Sequence, residues 1–194
     1  MLLPMSSAKH FVVTAAPKRC GKNNFIPILF MELKRVVVTG LGAITPLGKT
    51  LTETWEGLVN GKSGAGPITH FDASKFKTQF ACEVKNFDPS VWIDRKEARK
   101  MALFSQYAVA AAAQAWLDAG LPDFVQNETL ENKSDIDPNR IAVILGNGIG
   151  GLEVFTGSHA KMLQDGPDRI PPMTIPQMIA NEAAANIAMH FGVH

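Results

Sequence analysis

The sequence predicts an α/β domain in which helices cover a sheet of buried strands. Two short apolar runs, residues 36–39 and 141–145, are rich in β-branched residues and are bounded by turn residues. This pattern is typical of strands that are buried on both faces. A glycine-rich loop follows each run, and loops beyond the carboxyl ends of such strands are where α/β folds bind ligands.

The composition indicates a soluble globular protein. The 194 residues are 46% hydrophobic and 19% charged, which suffices for one core and does not suggest disorder or a membrane protein. Four of the 19 basic residues precede the first acidic residue, Glu32, which leaves 15 basic against 18 acidic residues in the rest of the chain. A general nucleic-acid-binding surface is therefore not expected.

Residues 1–30 are predicted to be a basic, disordered appendage or the product of a misassigned upstream start. They contain no acidic residue, three prolines and no sustained periodicity. A targeting sequence is the alternative, although the Arg-rich amphipathic pattern of a transit peptide is missing. The folded domain is expected to span residues 31–194.

Neither the cysteines nor the histidines predict a metal site, a disulfide or a cofactor. Cys20 and Cys82 have no disulfide or zinc-site spacing, which fits a reducing cytoplasm. Cys82 lies in a short predicted strand, residues 80–84, and we expect it to be a small core residue. The three histidines in the body of the chain lack a ligand partner at metal-binding spacing: His70, His159 and His190.

Capping boxes mark the expected beginnings of three helices. Thr50 with Glu53 predicts a helix that ends before Gly61. Its apolar face would carry Leu51, Trp55, Leu58 and Val59.

The other two capping boxes predict longer helices. Asp94 with Glu97 predicts one long helix up to Gly120, and Thr174 with Gln177 predicts a helix up to Gly192. The apolar face of this last helix would include Ala183, Ile187 and Phe191, among others. A further helix is expected over residues 152–164, followed by an extended loop over residues 166–172.

The glycines that follow the second apolar run could form a dinucleotide-binding loop or a ligand-binding loop of another kind. Gly146, Gly148 and Gly151 fit the dinucleotide pattern G-x-G-x-x-G, which would indicate an NAD-dependent oxidoreductase. That motif needs a second strand with an acidic residue about 20 residues later, whereas residues 165–176 are rich in proline. In either interpretation, Ile149 is the one large apolar side chain among these glycines.

Four basic residues cluster near the predicted amino end of the long helix: Arg95, Lys96, Arg99 and Lys100. The helix dipole favours anions at this end, so a run of cations there is locally unfavourable. Docking of an acidic partner and an ordinary solvated face are equally good explanations of the cluster.

Three motifs together resemble one enzyme family. They are K-R-V-V-V-T-G-L-G-A-I-T-P-L-G at residues 34–48, D-R-K-E-A-R-K-M at 94–101 and G-N-G-I-G-G-L at 146–152. In this order and spacing they are similar to the amino-terminal part of bacterial type II 3-oxoacyl-(acyl carrier protein) synthases. The resemblance covers residues 34–194.

The resemblance implies a thiolase-like fold, with two α/β/α halves that form five layers in a homodimer. This chain would supply the amino-terminal half, incomplete. The implied reaction is a decarboxylating Claisen condensation of malonyl-(acyl carrier protein) with an acyl group held on a cysteine as a thioester. The partners would be an acyl carrier protein and thioester substrates, without cofactor, metal, nucleic acid or membrane.

The resemblance also assigns residues, and it places none of the catalytic residues in this chain. The family's catalytic cysteine, histidines and lysine would lie beyond residue 194, and Cys20 and Cys82 match none of them. The 194-residue chain alone is therefore expected to be inactive. A non-catalytic docking or dimerisation homologue is the alternative. The matched positions are Lys96, Arg99 and Lys100 for carrier-protein docking and Ile149 and Met173 for the acyl pocket.

Overall fold

A computed structural model describes residues 35–121 and 136–193 of the chain. The chain divides into two compact units, Met1–Val36 and Val37–His194, and the features below belong to the second. Its α-helices are α1 (Leu51–Val59), α2 (Arg95–Ala98), α3 (Leu103–Asp118), α4 (Leu152–Asp165), α5 (Thr174–Met178) and α6 (Glu182–Phe191). Its strands, β1 (Ala65–Pro67) and β2 (Phe80–Cys82), form an antiparallel pair.

The hydrophobic core lies between α3 and α6. Val109 and Ala113 on α3 and Ile187 and Phe191 on α6 are buried and belong to one cluster. The Trp116 and Phe191 rings stack with 4.7 Å between centroids. The small residues of α3 allow its neighbours to pack closely. The predicted apolar face of the last helix is confirmed for Ala183, Ile187 and Phe191, whereas Met178 and Ile179, also predicted on this face, lie before α6. Gly192 (φ 62°) ends the helix in the left-handed conformation.

The loop after the first apolar run packs directly on α3. A Cβ at Gly40 would meet the carbonyl oxygen of Ala115, and a Cβ at Gly42 would meet that of Ala111. Two polar side chains of α3 fix the same loop: Asp118 Oδ2 accepts from the Leu41 N–H (2.9 Å), and Gln114 Oε1 accepts from the Ala43 N–H (3.3 Å). These two glycines therefore serve close backbone packing against a helix.

The prediction of two strands buried on both faces is wrong for this structure. Val37 and Val38 are 61% and 78% exposed, and residues 36–39 form no strand. In residues 141–145, Ile141 and Val143 pack on the core, whereas Ile144 is 95% exposed. The physical reason is that a strand needs neighbours for its N–H and C=O groups, and the described residues place no paired strand beside either run.

The predicted long helix from Asp94 to Gly120 is divided into α2 and α3. Ala102 between them has an extended backbone (φ −69°, ψ 161°). The Gln106 side chain donates from Nε2 to the carbonyl oxygens of Ala98 (2.9 Å) and Met101 (3.1 Å). A helix end leaves carbonyl groups without intrahelical partners. Gln106 binds the Met101 carbonyl and adds a second hydrogen bond to the Ala98 carbonyl, which also accepts from the Met101 N–H (3.2 Å), and these bonds stabilise the break.

The second predicted long helix is also divided, because Ile179 is extended (ψ 139°) after α5. Thr174 is not its N-cap. Its hydroxyl donates to the Pro171 carbonyl (2.8 Å) and is hydrogen-bonded to Ser158 Oγ (3.0 Å). The preceding residue, Met173, holds the N-cap position, so local side-chain contacts replace the expected capping box.

The Thr50 capping box forms only in part. Thr50 accepts from the Glu53 N–H (3.2 Å), while the Glu53 carboxylate accepts from the Lys49 N–H (2.7 Å). Gly61 follows α1 with φ 62° and ends the helix as predicted. The predicted apolar face of α1 is largely exposed, with Trp55 at 65%.

The structure also bears on the predictions for helix α4 and the loop after it and for Cys82. Helix α4 forms nearly over its predicted range, whereas Pro167–Arg169 makes a 3₁₀ turn within the expected extended loop. Cys82 is exposed and is not the predicted core residue, because the two-stranded sheet leaves it at the surface. The appendage predicted for residues 1–30 lies outside the described residues.

Candidate functional site

The glycine loop, residues 146–151, is held against the end of α5. The Gly151 N–H donates to the Met178 carbonyl (3.0 Å). Asn147 donates from Nδ2 to the Ala180 carbonyl (3.0 Å). Gly150 has φ 84°, and a Cβ there would meet the Met178 carbonyl oxygen. Both the close approach and the left-handed backbone require glycine at this position.

Ile149 and Met173, the residues matched to an acyl pocket, lie near opposite ends of α5. The Ile149 side chain is 70% exposed on the glycine loop, and Met173, the α5 N-cap, is 40% exposed. With a rise of 1.5 Å per residue, the five-residue α5 is about 7.5 Å long. Both apolar side chains are therefore exposed at the surface, near opposite ends of one short helix.

The basic segment, residues 95–100, lies at the surface with a defined backbone. Asp94 Oδ1 accepts from the Lys96 N–H (2.8 Å) and caps α2 as predicted. This hydrogen bond, and the positive charge of Lys96, lower the pKa of Asp94. The side chain therefore remains an anionic cap under mildly acidic conditions.

The charges of the basic segment are mostly available to a partner. Lys96, Arg99 and Lys100 are all exposed. Lys100 pairs with Glu97 at 2.8 Å, but both side chains are more than half exposed, and such surface pairs contribute little. In the part of the chain that the structure describes, Lys96 and Arg99 form no salt bridge. The segment is therefore a positively charged surface.

Helix α5 connects the basic segment with the glycine loop. Gln177 donates from Nε2 to the Arg99 carbonyl (3.2 Å). A Cβ at Gly151 would meet the backbone oxygen of the same glutamine at 2.7 Å and the Ala102 Cβ at 3.3 Å. The structure thus brings together the two surfaces that the sequence predicted separately.

Sequence reasoning missed Asn147 and Gln177. Asparagine side chains often hydrogen-bond the backbone two residues further on, so the G-N-G-I-G pattern does contain a signal for Asn147. The sequence pattern predicts that Gln177 is part of a capping box. In the structure its side chain instead binds the Arg99 carbonyl, which is 78 residues away in sequence. Local sequence patterns cannot identify such a pairing.

Two glycines of the loop, Gly150 and Gly151, have structural reasons that do not involve a nucleotide. Gly150 and Gly151 are needed where the loop touches α5. Residues 165–176 include a 3₁₀ turn and the start of α5, where a dinucleotide site would need a strand. The described residues contain no cluster of three His, Cys, Asp or Glu side chains that could bind a metal ion. His190 is half-buried on α6, and burial lowers its pKa.

Within residues 35–121 and 136–193, every helix is too short or too polar to cross a membrane.

Sequence comparison connects this chain to a known family. The beta-ketoacyl synthase N-terminal domain matches residues 33–194. The 3-oxoacyl-[acyl-carrier-protein] synthase 2 of Synechocystis sp. is 48% identical over 162 residues, which are 84% of this chain and 36% of the relative. The chain thus spans about a third of the length of the relatives it matches.

Solved structures support the same relationship. The ishigamide ketosynthase/chain length factor is 32% identical, with a TM-score of 0.70 over 81% of this chain and 37% of its own. A ketosynthase in complex with a type II polyketide acyl carrier protein aligns with a TM-score of 0.63 over 81% of this chain and 40% of its own. At 20% identity, the latter shows the fold alone. The fold is the thiolase-like α/β fold, and the chain belongs to the beta-ketoacyl synthase family.

Proposed function

We propose that this chain is part of a condensing enzyme that elongates acyl chains from malonyl-(acyl carrier protein) by decarboxylating Claisen condensation. Family membership supports the reaction class. The observation that carries the proposal is the exposed basic segment, which Gln177 ties to the helix that backs the glycine loop. A surface for an acidic partner is thereby connected to exposed apolar side chains suited to an acyl chain.

Within this proposal, the basic segment docks the carrier protein. Complementary charge speeds association and orients partners more than it raises final affinity. Lys96, Arg99 and Lys100 are exposed on a short backbone segment that Asp94 and Gln177 hold in place. They can therefore meet an acidic surface without refolding.

Reversing the three charges is expected to weaken binding of the carrier protein to this chain by about tenfold or more at low salt, because each attraction becomes a repulsion. The variant is Lys96→Glu, Arg99→Glu, Lys100→Glu. Titration with purified acyl carrier protein at low and high salt measures the effect, which should shrink as salt screens the charges.

A matched control changes the net charge equally elsewhere. Lys62, Lys75 and Lys77 are also exposed, so reversing them to glutamate should leave carrier-protein binding within about twofold of wild type. Equal weakening by both triple variants would contradict a specific docking surface. The 194-residue chain alone, given malonyl-(acyl carrier protein), serves as a negative control, with no turnover expected.

We place the acyl pocket of the complete synthase at Ile149 and Met173. Both side chains are apolar and exposed in the described part of the chain, and both adjoin α5. Ile149 is flanked by Gly148 and Gly150, whose backbones lack the restriction that a Cβ imposes. An acyl chain could extend past Ile149 only when this side chain changes rotamer, so Ile149 would limit the acyl length.

Replacing Ile149 with phenylalanine in a complete synthase is expected to slow acylation by long primers about 5- to 150-fold, which corresponds to overpacking by roughly 1–3 kcal/mol. Short primers should be spared. Acylation by short and long primers, measured with a melting curve, tests this. Ile149 is 70% exposed here, so the stability of the 194-residue chain should not change. An equal effect on all primer lengths would argue against the pocket.

We further propose that the complete synthase is a cytoplasmic homodimer. The exposed thiol of Cys82 is compatible with a reducing compartment. The apolar face of α1, residues 36–39 and Ile144 are exposed in the described part of the chain, and a second copy or the rest of the synthase could cover them.

A further inference from the structure

Asn147 holds the glycine loop with three hydrogen bonds. Its Oδ1 accepts from the N–H groups of Ile149 (3.3 Å) and Gly150 (3.1 Å). Its Nδ2 donates to the Ala180 carbonyl (3.0 Å). The orientation of the amide is fixed by these partners, because two donors face the oxygen and one acceptor faces the nitrogen. One side chain therefore ties the backbone of Ile149 to the segment that follows α5.

The carboxyl end of the loop is fixed by the backbone. The Gly151 N–H donates to the Met178 carbonyl (3.0 Å). Any Cβ at Gly150 would come within 3.2 Å of the Ala180 Cα. The loop cannot move closer to α5, and Asn147 keeps it from moving away.

Without Asn147 the backbone around Ile149 would have unusual freedom. Gly148 on one side and Gly150 on the other each sample conformations that other residues avoid. Nothing lies within 4 Å of a Cβ built on Gly148, so packing does not restrict this part of the loop. The two hydrogen bonds to Asn147 Oδ1 remove that freedom at Ile149 itself.

We propose that Asn147 is a positioning residue that holds Ile149 where it limits the length of the acyl chain. The inference rests on the proposed pocket role of Ile149 and adds the residue that sets its backbone. Asn147 does not touch the acyl chain in this mechanism. It keeps Ile149 in one position, so that long chains enter only when the loop opens.

Replacing Asn147 with alanine in a complete synthase should raise acylation by long primers relative to short ones about two- to tenfold. The variant removes three hydrogen bonds, and the loss of a single one already shifts a conformational equilibrium by about this factor, so the range is a lower bound. A purely structural role would lower acylation at all chain lengths together. The ratio of rates with long and short primers therefore distinguishes positioning from general damage.

The conservative variant Asn147→Asp keeps the acceptor for the Ile149 and Gly150 N–H groups and loses the donor to Ala180. It should restore the ratio only in part, because the hydrogen bonds to the Ile149 and Gly150 N–H groups remain whereas a carboxylate oxygen now faces the Ala180 carbonyl. Asn181→Ala is the matched control, since Asn181 lies near Ala180 and its side chain makes no capping hydrogen bond. This control should leave the ratio unchanged.

Amide hydrogen exchange in the 194-residue chain tests the geometry without catalysis. In Asn147→Ala, the Ile149 and Gly150 amides should exchange about tenfold faster than in wild type, because their acceptor is gone. In Asn147→Asp they should remain slow. Unchanged exchange in Asn147→Ala would overturn the proposal, whatever the role of Ile149.

The Ile149→Phe variant distinguishes failure of the pocket role of Ile149 from failure of the positioning role of Asn147. If it leaves the primer-length profile unchanged, the pocket role fails, and the role of Asn147 fails with it. If Ile149→Phe changes the profile and Asn147→Ala does not, only the positioning role is overturned. An Asn147→Asp variant that behaves like Asn147→Ala also overturns it.

Discussion

Replacing Phe191 with alanine is expected to destabilise the 194-residue chain by about 3–5 kcal/mol, the usual cost of truncating a buried aromatic side chain. Phe191 is 4% exposed and stacks on Trp116 with 4.7 Å between ring centroids. Such ring pairs contribute about 0.5–1.5 kcal/mol beyond area burial. Since α3 and α6 form the main core contact, their separation would affect most of the described fold.

Urea unfolding followed by far-ultraviolet circular dichroism measures this loss. Met189 lies on the same helix but is 68% exposed, so Met189→Ala should change the free energy of unfolding by less than about 0.5 kcal/mol. A loss below about 1 kcal/mol for Phe191→Ala would show that α6 does not pack on α3 as described.

Replacing Gly42 with alanine is expected to cost about 3 kcal/mol, at the upper end of the usual range for overpacking. The new Cβ would lie 2.7 Å from the Ala115 nitrogen and would also meet the Ala111 carbonyl oxygen. Backbone atoms of a helix cannot give way as a flexible side chain can. The loop would have to move, which would weaken the hydrogen bonds to Gln114 and Asp118.

Gly146→Ala is the matched control for this steric argument. Nothing lies within 4 Å of a Cβ at Gly146, so this change should be neutral or should stabilise by up to about 1 kcal/mol. The same urea titration compares the two variants. If both glycines tolerated alanine equally, the close packing of the loop on α3 would be refuted.

The family and the buried face of α6 were predictable because they depend on local patterns, whereas the apolar face predicted for α1 is largely exposed in the described part of the chain. Ala183, Ile187 and Phe191 follow helical spacing and are buried as expected. The strands were predicted from apolar runs alone, and their formation depends on hydrogen-bonding partners that a run does not reveal. The two helix breaks depend on side chains such as Gln106, whose acceptors lie in the preceding turn, so the capping boxes alone suggested longer helices.

For the candidate site, sequence patterns identified the charged and apolar side chains but not the hydrogen bonds that fix the backbone around them. The basic cluster and Ile149 are exposed in the described part of the chain. Their connection through Gln177 and Asn147 depends on contacts 78 and 33 residues apart in sequence. Polar side chains that bond to backbone groups leave no periodic signal, so the structure was needed to find them.

The backbone of the basic segment is held by groups other than its basic side chains. Asp94, Gln106 and Gln177 bind its N–H and C=O groups, and Ala98 and Met101 anchor it in the core. The exposed positions can therefore change sequence without changing the shape of the surface. In evolution, the charge of this surface can change at positions 96, 99 and 100 while selection for folding acts on different residues.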